Sequence, residues 1–414
     1  MNRIYFCVDL KSFYASVECV DRGLNSLKTN LVVADISRGN GALCLAVSPS
    51  LKKLGIRNRC RLYEIPKGIE IVIAKPRMKR YIEISSEIYA IYLRYIDKKD
   101  ILVFSIDECF LDVSKYLKLY NMNKEQLAKR IIDDIYASTG IQATAGIGTN
   151  MFLAKVALDL KAKNSQNNLY FLDEELFKKE IWHYRPITDI FKIGKGISKR
   201  LEKLGIFDLY GITKIEEEIL YKKFGVDAEL LIDHAYGREP CTIQDVHNYV
   251  IKENSLSSGQ VLFEDYSYID GLLVVKEMVE LLVLDLNKKK LVTKRIYLKI
   301  DYSNRESANK SLTLDGYTSS LSKITEYFVK MYKQICDKKL YIRKIRISFS
   351  SLRDNSYQEY DIFNIHKELK EEKLANVINK IKYRYGNNAI IRGMNLVQNA
   401  TTIKRNKLIG GHNG

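Results

Sequence analysis

The chain has 414 residues, 46% of them hydrophobic, and a mean hydropathy of −0.21, which describes two to four domains with sizeable cores, and no window approaches the ~20 apolar residues that a membrane span needs. A formal net charge of +17 and a pI near 9.3 exceed what solubility asks for and favour a polyanionic partner, nucleic acid ahead of an anionic membrane. Seven cysteines without a CxxC pair argue against a disulfide framework or a zinc site and suit a reducing cytoplasm. The N-terminus shows no signal-peptide pattern. The basic excess is spread along the chain, so a structured groove is favoured over a disordered basic arm.

Residues 3–10 read as a buried strand ending in Asp9, and residues 11–18 have helical spacing, with Phe13, Val17 and Val20 on one face. A lone Asp at a strand end is ordinarily a helix cap. Residues 30–36 and 41–47 read as strands. A helix then begins with Ser48 as cap and Pro49 in its first turn, and Gly55 ends it; Lys52 and Lys53 read as its solvated face. A long amphipathic helix opens over residues 75–81, with Ile82, Ile88 and Leu93 among its apolar positions. Residues 101–106 form an apolar, strand-like run expected in the core, and Asp107-Glu108 interrupts it. A hairpin turn accounts for the pair locally as well as a buried acid pair does, because a buried carboxylate costs several kcal/mol without compensation. Asp9 shifts the balance. Three carboxylates gathered from distant segments are the hard oxygen set that a divalent cation shared with substrate phosphates requires.

Further on, residues 123–138 read as a helix and 141–147 as a strand. From Tyr170 the character changes to short helical segments, with Gly194-Lys195-Gly196 opening a basic helix. His183 and His234 have no second metal ligand at suitable spacing and read as packing or surface residues. Residues 241–257 read as a linker, beyond which there is no proline. Residues 258–353 then run strand, helix (269–286), strand (294–302), short strand (near 311–314), helix (320–335), strand (342–349), with apolar–basic alternation in the strands.

Val8-Asp9-Leu10-Lys11-Ser12-Phe13-Tyr14-Ala15 together with Ser105-Ile106-Asp107-Glu108 resembles the catalytic core of the Y-family DNA polymerases, the lesion-bypass enzymes that include bacterial UmuC and DinB proteins. Further matches in order span nearly the whole chain. The resemblance implies an α+β multidomain right hand. Its palm is 1–10 and 76–168, its fingers 11–75 and its helix-hairpin-helix thumb 169–240. After the linker come a βαββαβ little finger, 258–353, and a tail, 354–414.

It also implies site residues. Asp9, Asp107 and Glu108, with the backbone carbonyl of Leu10, would hold two Mg²⁺ ions. Tyr14 would be a steric gate against a 2′-OH with Phe13 beside it, although both otherwise read as core aromatics of an amphipathic helix. Lys52 and a lysine about two turns beyond Lys155, either Lys161 or Lys163 with Lys163 favoured, would meet the triphosphate; Lys155 itself reads as structural. The chain departs from the family in having Lys52 where Arg is common and Pro49 where many members carry Tyr.

Gly194, Lys195 and Gly196 would meet a DNA phosphate at a helix N-terminus, and Lys294, Arg295, Arg343 and Arg346 would lie along the little finger's DNA-facing sheet. Gln358-Glu359-Tyr360-Asp361-Ile362-Phe363 is similar to degenerate sliding-clamp peptides, with Gln358, Asp361, Ile362 and Phe363 as contacts; a strand end or linker accounts for it as readily. The ending, 386–412, is similar to UmuC-like proteins of Gram-positive bacteria and their mobile elements, without a mechanism attached. The implied activity is template-directed addition of deoxynucleotides to a primer 3′ end in DNA damage tolerance, by a monomeric cytoplasmic catalytic subunit that meets primer–template DNA, deoxynucleoside triphosphates and a bacterial sliding clamp. Two rivals are a catalytically idle DNA-binding scaffold, disfavoured by the intact acids, and a nucleotidyl cyclase on a palm-like sheet, disfavoured by the thumb and little-finger matches.

Overall fold

The computed structural model describes residues 3–250, 254–360 and 363–413. One compact unit spans Met1–Tyr249 together with His412–Gly414, and a second spans Val250–Gly411. In the first, β1 (Tyr5–Leu10) leads into α1 (Phe13–Val20). β2 (Leu31–Val33), β3 (Ala46–Val47) and β4 (Val72–Ala74) make a small sheet, ordered β3-β2-β4, beside α2 (Pro49–Lys53). After α3 (Met78–Tyr92) come β5 (Ile101–Val103), β6 (Glu108–Asp112), α4 (Tyr116–Tyr120), α5 (Lys124–Thr139), β7 (Ala143–Gly148), α6 (Met151–Val156) and β8 (Leu169–Leu172).

The five-stranded sheet runs β5-β6-β1-β7-β8, so β1 is central and antiparallel to both neighbours. Strand alternation gives it two buried faces. Phe6, Val8 and Leu10 pack with residues of α1, α3 and α5, whereas Tyr5 and Cys7 pack with Phe110, Met151 and Ala154. Burial of each such aliphatic or aromatic side chain contributes about 1.5–3 kcal/mol. The second face depends on two glycines. A Cβ on Gly146 would come within 2.1 Å of the Ala154 carbonyl oxygen, and one on Gly148 within 2.2 Å of the Ala154 nitrogen, so only glycine lets α6 lie against β7.

Four local expectations need correction. The strands expected over 30–36 and 41–47 shrink to three and two residues, because the Asp35 side chain accepts from Ser37 N–H and turns the chain into a 3₁₀ segment. On α3 the buried stripe is Tyr81, Ile84, Ile88 and Ile91, while Ile82 and Leu93 are exposed. Val103 and Phe104, expected in the core, are also exposed, since β5 is an edge strand and the chain turns straight after it. The linker is shorter than expected. α7 (Glu174–Glu180), α8 (Lys195–Glu202), α9 (Leu209–Ile212), α10 (Glu217–Phe224) and α11 (Asp227–Ala235) are followed by α12 (Ile243–Asn248), which buries Ile243 and donates from Gln244 Nε2 to the buried Asp100 at 2.9 Å. Six residues are too few for helical periodicity to show in the sequence.

The second unit follows the expected β-α-β-β-α-β order: β9 (Leu256–Tyr266), α13 (Tyr268–Lys288), β10 (Leu291–Tyr302), β11 (Ser307–Thr318), α14 (Leu321–Ile335) and β12 (Ile342–Asp354). Its antiparallel sheet is ordered β11-β10-β12-β9, with the two helices packed on one face. β11 has 12 residues rather than a short run: Ser307, Asn309, Ser311, Thr313 and Asp315 face outward, and Lys310 and Gly316 interrupt the apolar set of the other parity. Residues 354–414 are not a tail. α15 (Ile365–Tyr385) packs Ala375 and Ile378 on Leu284 of α13. Beyond it, the buried Glu277 accepts from Asn395 Nδ2 at 3.0 Å, Thr401 N and Oγ1 at 2.8 Å and Thr402 N at 3.2 Å. A buried carboxylate satisfied from residues more than a hundred positions away leaves no periodic trace in the sequence.

Candidate active site

Asp9 on β1 stands directly opposite Glu108 on β6, and Leu10 N–H donates to the Asp107 carbonyl at 3.0 Å. Three carboxylates therefore come from adjacent backbone positions on neighbouring central strands. Asp9 is not a helix cap: the cap position of α1 is Ser12, in the left-handed region at φ 48°. Both readings of Asp107-Glu108 hold at once. Phe104 and Ser105 N–H groups both donate to the Glu108 carbonyl, closing a turn, and the acid pair lies at its end.

Each carboxylate has its own environment. Glu108 is buried and accepts from Lys155 Nζ at 2.7 Å and from the Cys7 thiol at 3.0 Å. Asp107 is half-buried and accepts from Ser105 Oγ at 2.7 Å. Asp9 faces Lys163 Nζ at 3.4 Å. Between the two lysines sits Asp159, 3.0 Å from Lys155 and 2.8 Å from Lys163. Glu108, Lys155, Asp159, Lys163 and Asp9 thus form a chain of alternating charge around the site. Burial, reinforced by the Asp107 and Glu108 charges and opposed by Lys163, pushes the Asp9 carboxyl up to about 6. Lys155 is driven above the ordinary lysine value: burial works against it, but neighbouring Cys7, Asp159 and Glu108 prevail.

The sequence left Lys161 and Lys163 open, and the backbone separates them. After α6 the helix widens into a π turn over Ala157–Lys161 before a 3₁₀ turn at Ala162–Asn164. The wider i→i+5 turn absorbs one extra residue, so the position two turns beyond Lys155 falls on Lys163. Lys161 points elsewhere and pairs with Glu180 at 2.9 Å. Asp159 was missed as a site residue, and Lys155, read as structural, pairs with Glu108; the spacing of four that joins Lys155, Asp159 and Lys163 was the available signal.

On the other side of Asp9, Phe13 is 2% exposed and belongs to the core, whereas Tyr14 is half-buried and accessible. Lys52 stands on α2 with its side chain open to solvent; partial desolvation by the surrounding protein, with Lys163 and Lys11, lowers its pKa against the pull of Asp9 and Asp107. Among the described residues no three His, Cys, Asp or Glu side chains converge as a ready metal cage. The donor chemistry nevertheless fits a hard divalent cation: clustered carboxylate oxygens, one with its proton affinity raised by the others, and two ammonium groups supplying the neutralising charge.

The chain matches known proteins over most of its length. The model of the impB/mucB/samB family matches residues 8–159, and that of the impB/mucB/samB family C-terminal domain matches residues 253–362. A putative UV-damage repair protein, UvrX of Bacillus subtilis, is 33% identical over 98% of this chain and 96% of its own length. A DNA polymerase IV 2 of the same organism is 29% identical over 99% of each chain. The solved structure of a Y-family DNA polymerase chimera of Dbh and Dpo4 matches with a TM-score of 0.66 at 21% identity, covering 85% of this chain and 100% of that one.

The chain belongs to the impB/mucB/samB family, the Y-family DNA polymerases.

Polymerases of this family are metal-dependent. In the thumb region, Gly194 is the cap residue of α8, and a Cβ on either Gly194 or Gly196 would meet nothing within 4 Å, so the helix start lies open beside the exposed Lys195.

In the little finger the helix-free sheet face is set by register. Arg295, Tyr297 and Lys299 of β10 stand opposite Ser350, Ser348 and Arg346 of β12, and Lys344 stands opposite Asp301. Arg295 and Arg346 are on this face as expected. For Lys294 and Arg343 strand alternation does not set the face: each falls at a register shift, with Lys294 Nζ 5.3 Å from the Tyr317 ring centre and Arg343 3.5 Å from Asp265. Lys299 and Lys344 were missed, although their parity with Arg295 and Arg346 marked them. In the clamp-like peptide, Gln358 already accepts from Ser319 N–H at 2.9 Å and Phe363 is 95% exposed, while Asp361 and Ile362 lie outside the described residues. His234 stacks on Phe152 at 3.9 Å and meets Glu239, a packing role.

Proposed function

We propose that this chain is a template-directed DNA polymerase of the lesion-bypass type that extends a primer 3′ end with deoxynucleotides. The observation that carries the reading is Asp9 facing Glu108 across β1 and β6, with Asp107 beside them and Lys163 and Lys52 at the rim. Asp9, Asp107, Glu108 and the Leu10 carbonyl would hold two Mg²⁺ ions. When bound, these ions supply charge neutralisation to the triphosphate and acidify the primer hydroxyl.

The chain's own residues do the rest. Lys155 keeps the buried Glu108 carboxylate aimed and supplies the opposite charge beside it. Lys163, held between Asp9 and Asp159 at the rim, would present its ammonium to an incoming phosphate, and Lys52 would approach from the fingers. Tyr14, half-buried and within reach of the Asp107 charge, would be the steric gate whose ring excludes a 2′-OH. The thumb glycines and the basic little-finger face hold duplex phosphates without reading sequence, and the exposed Phe363 segment would dock on the sliding clamp. A monomer contains all of these parts.

Primer extension opposite undamaged and lesion-bearing templates tests the reading. Asp107→Ala and Glu108→Ala should each lower extension by about 10³-fold or more, with primer–template affinity retained; full extension by either variant removes these strands from the active site.

A further inference from the structure

Glu18 is fully buried and has no part in the chemistry above. It lies one helical turn beyond Tyr14 on α1, facing α3. A carboxylate shut away from water needs several donors, and Glu18 has them. Arg77 grips it as a fork, Nε to Oε1 at 2.9 Å and Nη2 to Oε2 at 3.0 Å. Arg22 donates to Oε2, and the Tyr81 hydroxyl donates to Oε1 at 2.7 Å. Arg77 and Arg80 also bind Asp21, which ties the start of α3 to the end of α1.

Tyr81 is the link from this network to the site. It is fully buried, and burial followed by the Glu18 carboxylate pushes its phenol far above the usual range, so it remains a donor. Its ring stacks on Tyr14 with centres 4.5 Å apart and planes 22° apart. Phe13 closes the cluster at 5.7 Å from Tyr14 and 6.5 Å from Tyr81. No hydrogen bond among the described residues holds the Tyr14 side chain itself. Its ring is therefore oriented by the two rings beneath it, and Tyr81 is the one anchored to a buried charge.

We propose that Glu18, acting through Tyr81, is a positioning residue for sugar discrimination: it sets the height and plane of the Tyr14 ring. The inference rests on the gate reading of Tyr14. A gate that rejects one oxygen works by steric overlap, which tolerates only a displacement of about 0.5 Å or a tilt of about 10–20°. A ring able to tilt loses selectivity while the palm stays folded.

The test is the ratio of kcat/KM for a deoxynucleotide over its ribonucleotide in primer extension by the full chain. Tyr14→Ala should lose most of the ratio. Tyr81→Leu should lower it by about 10-fold, and Tyr81→Phe and Glu18→Gln, which keep ring and shape, by about 3-fold each. In a Tyr14→Ala background Tyr81→Leu should add nothing, since the two act as one unit. A ratio within twofold of the unaltered protein for Tyr81→Phe and Glu18→Gln, alongside its collapse in Tyr14→Ala, overturns the positioning role and leaves the gate standing. A ratio preserved in Tyr14→Ala rejects the gate itself. Should Tyr81→Leu fail to fold, the two conservative variants decide.

Discussion

The palm site and the open face of the little-finger sheet are both arrays of charge, yet they are built in opposite ways. In the palm, acids and lysines alternate within 2.7–3.4 Å of one another, several of them buried, and every member has a fixed partner. On the sheet, Arg295, Lys344 and Arg346 stand on an exposed or half-exposed surface among serines, with Lys299 paired only to Asp301. The first arrangement fixes individual atoms, as phosphoryl chemistry demands. The second offers a field to a polyanion and tolerates displacement along it. Removing one palm charge should therefore be felt specifically and strongly, and removing one sheet charge weakly and in proportion to salt.

The sharpest break in that comparison is at the two neighbouring lysines. Lys163→Met should lower kcat/KM for the incoming nucleotide by about 100-fold, the loss of one charge-assisted contact in a shielded site, whereas Lys161→Met should change it less than twofold; steady-state kinetics on matched templates read the difference. Equal effects would mean that the π turn does not select between them.

A smaller effect concerns stability. Asp9 titrates at about 6 in the fold and near 3.9 in an unfolded chain, so the unfolded state gives up the proton first. Below about pH 4 the group contributes nothing. The folded state is penalised increasingly between about pH 4 and 6, and above that the penalty is complete, on the order of 3 kcal/mol. Asp9→Asn should accordingly stabilise the metal-free protein in urea denaturation at pH 7.5, with the gain fading towards pH 4.5, while abolishing extension. A gain that did not vary with pH would point to packing rather than charge.

The smallest effects belong to the sheet. Arg346→Ala or Lys299→Ala should weaken primer–template binding about 3-fold each and reduce the slope of log affinity against log salt by about 1, with Lys294→Ala closer to neutral. Fluorescence anisotropy over a salt series checks this, and it separates face residues from those at the register shifts.

Much of the fold was legible beforehand, for identifiable reasons. β1 and α1 carried a continuous buried strand and a clear helical face, and the second unit declared its β-α-β-β-α-β order through long periodic helices. α12 and the segment after α15 did not, because the first is too short for a period and the second is held by hydrogen bonds to Glu277, which have none. Lys299 and Lys344 were readable from strand parity. For Lys294 and Arg343 parity is no guide, because a register shift interrupts the alternation at each.

Asp9, Asp107, Glu108 and Tyr14, their spacing and the family they signal are properties of the sequence alone, because a carboxylate in an apolar strand is anomalous whatever surrounds it. Which groups balance those acids was decided only in three dimensions. Antiparallel register set Asp9 against Glu108, glycines on β7 let α6 approach, and one π turn rotated Lys163 rather than Lys161 into the site. Charges so close interact by distance and burial, neither of which is a function of position along the chain.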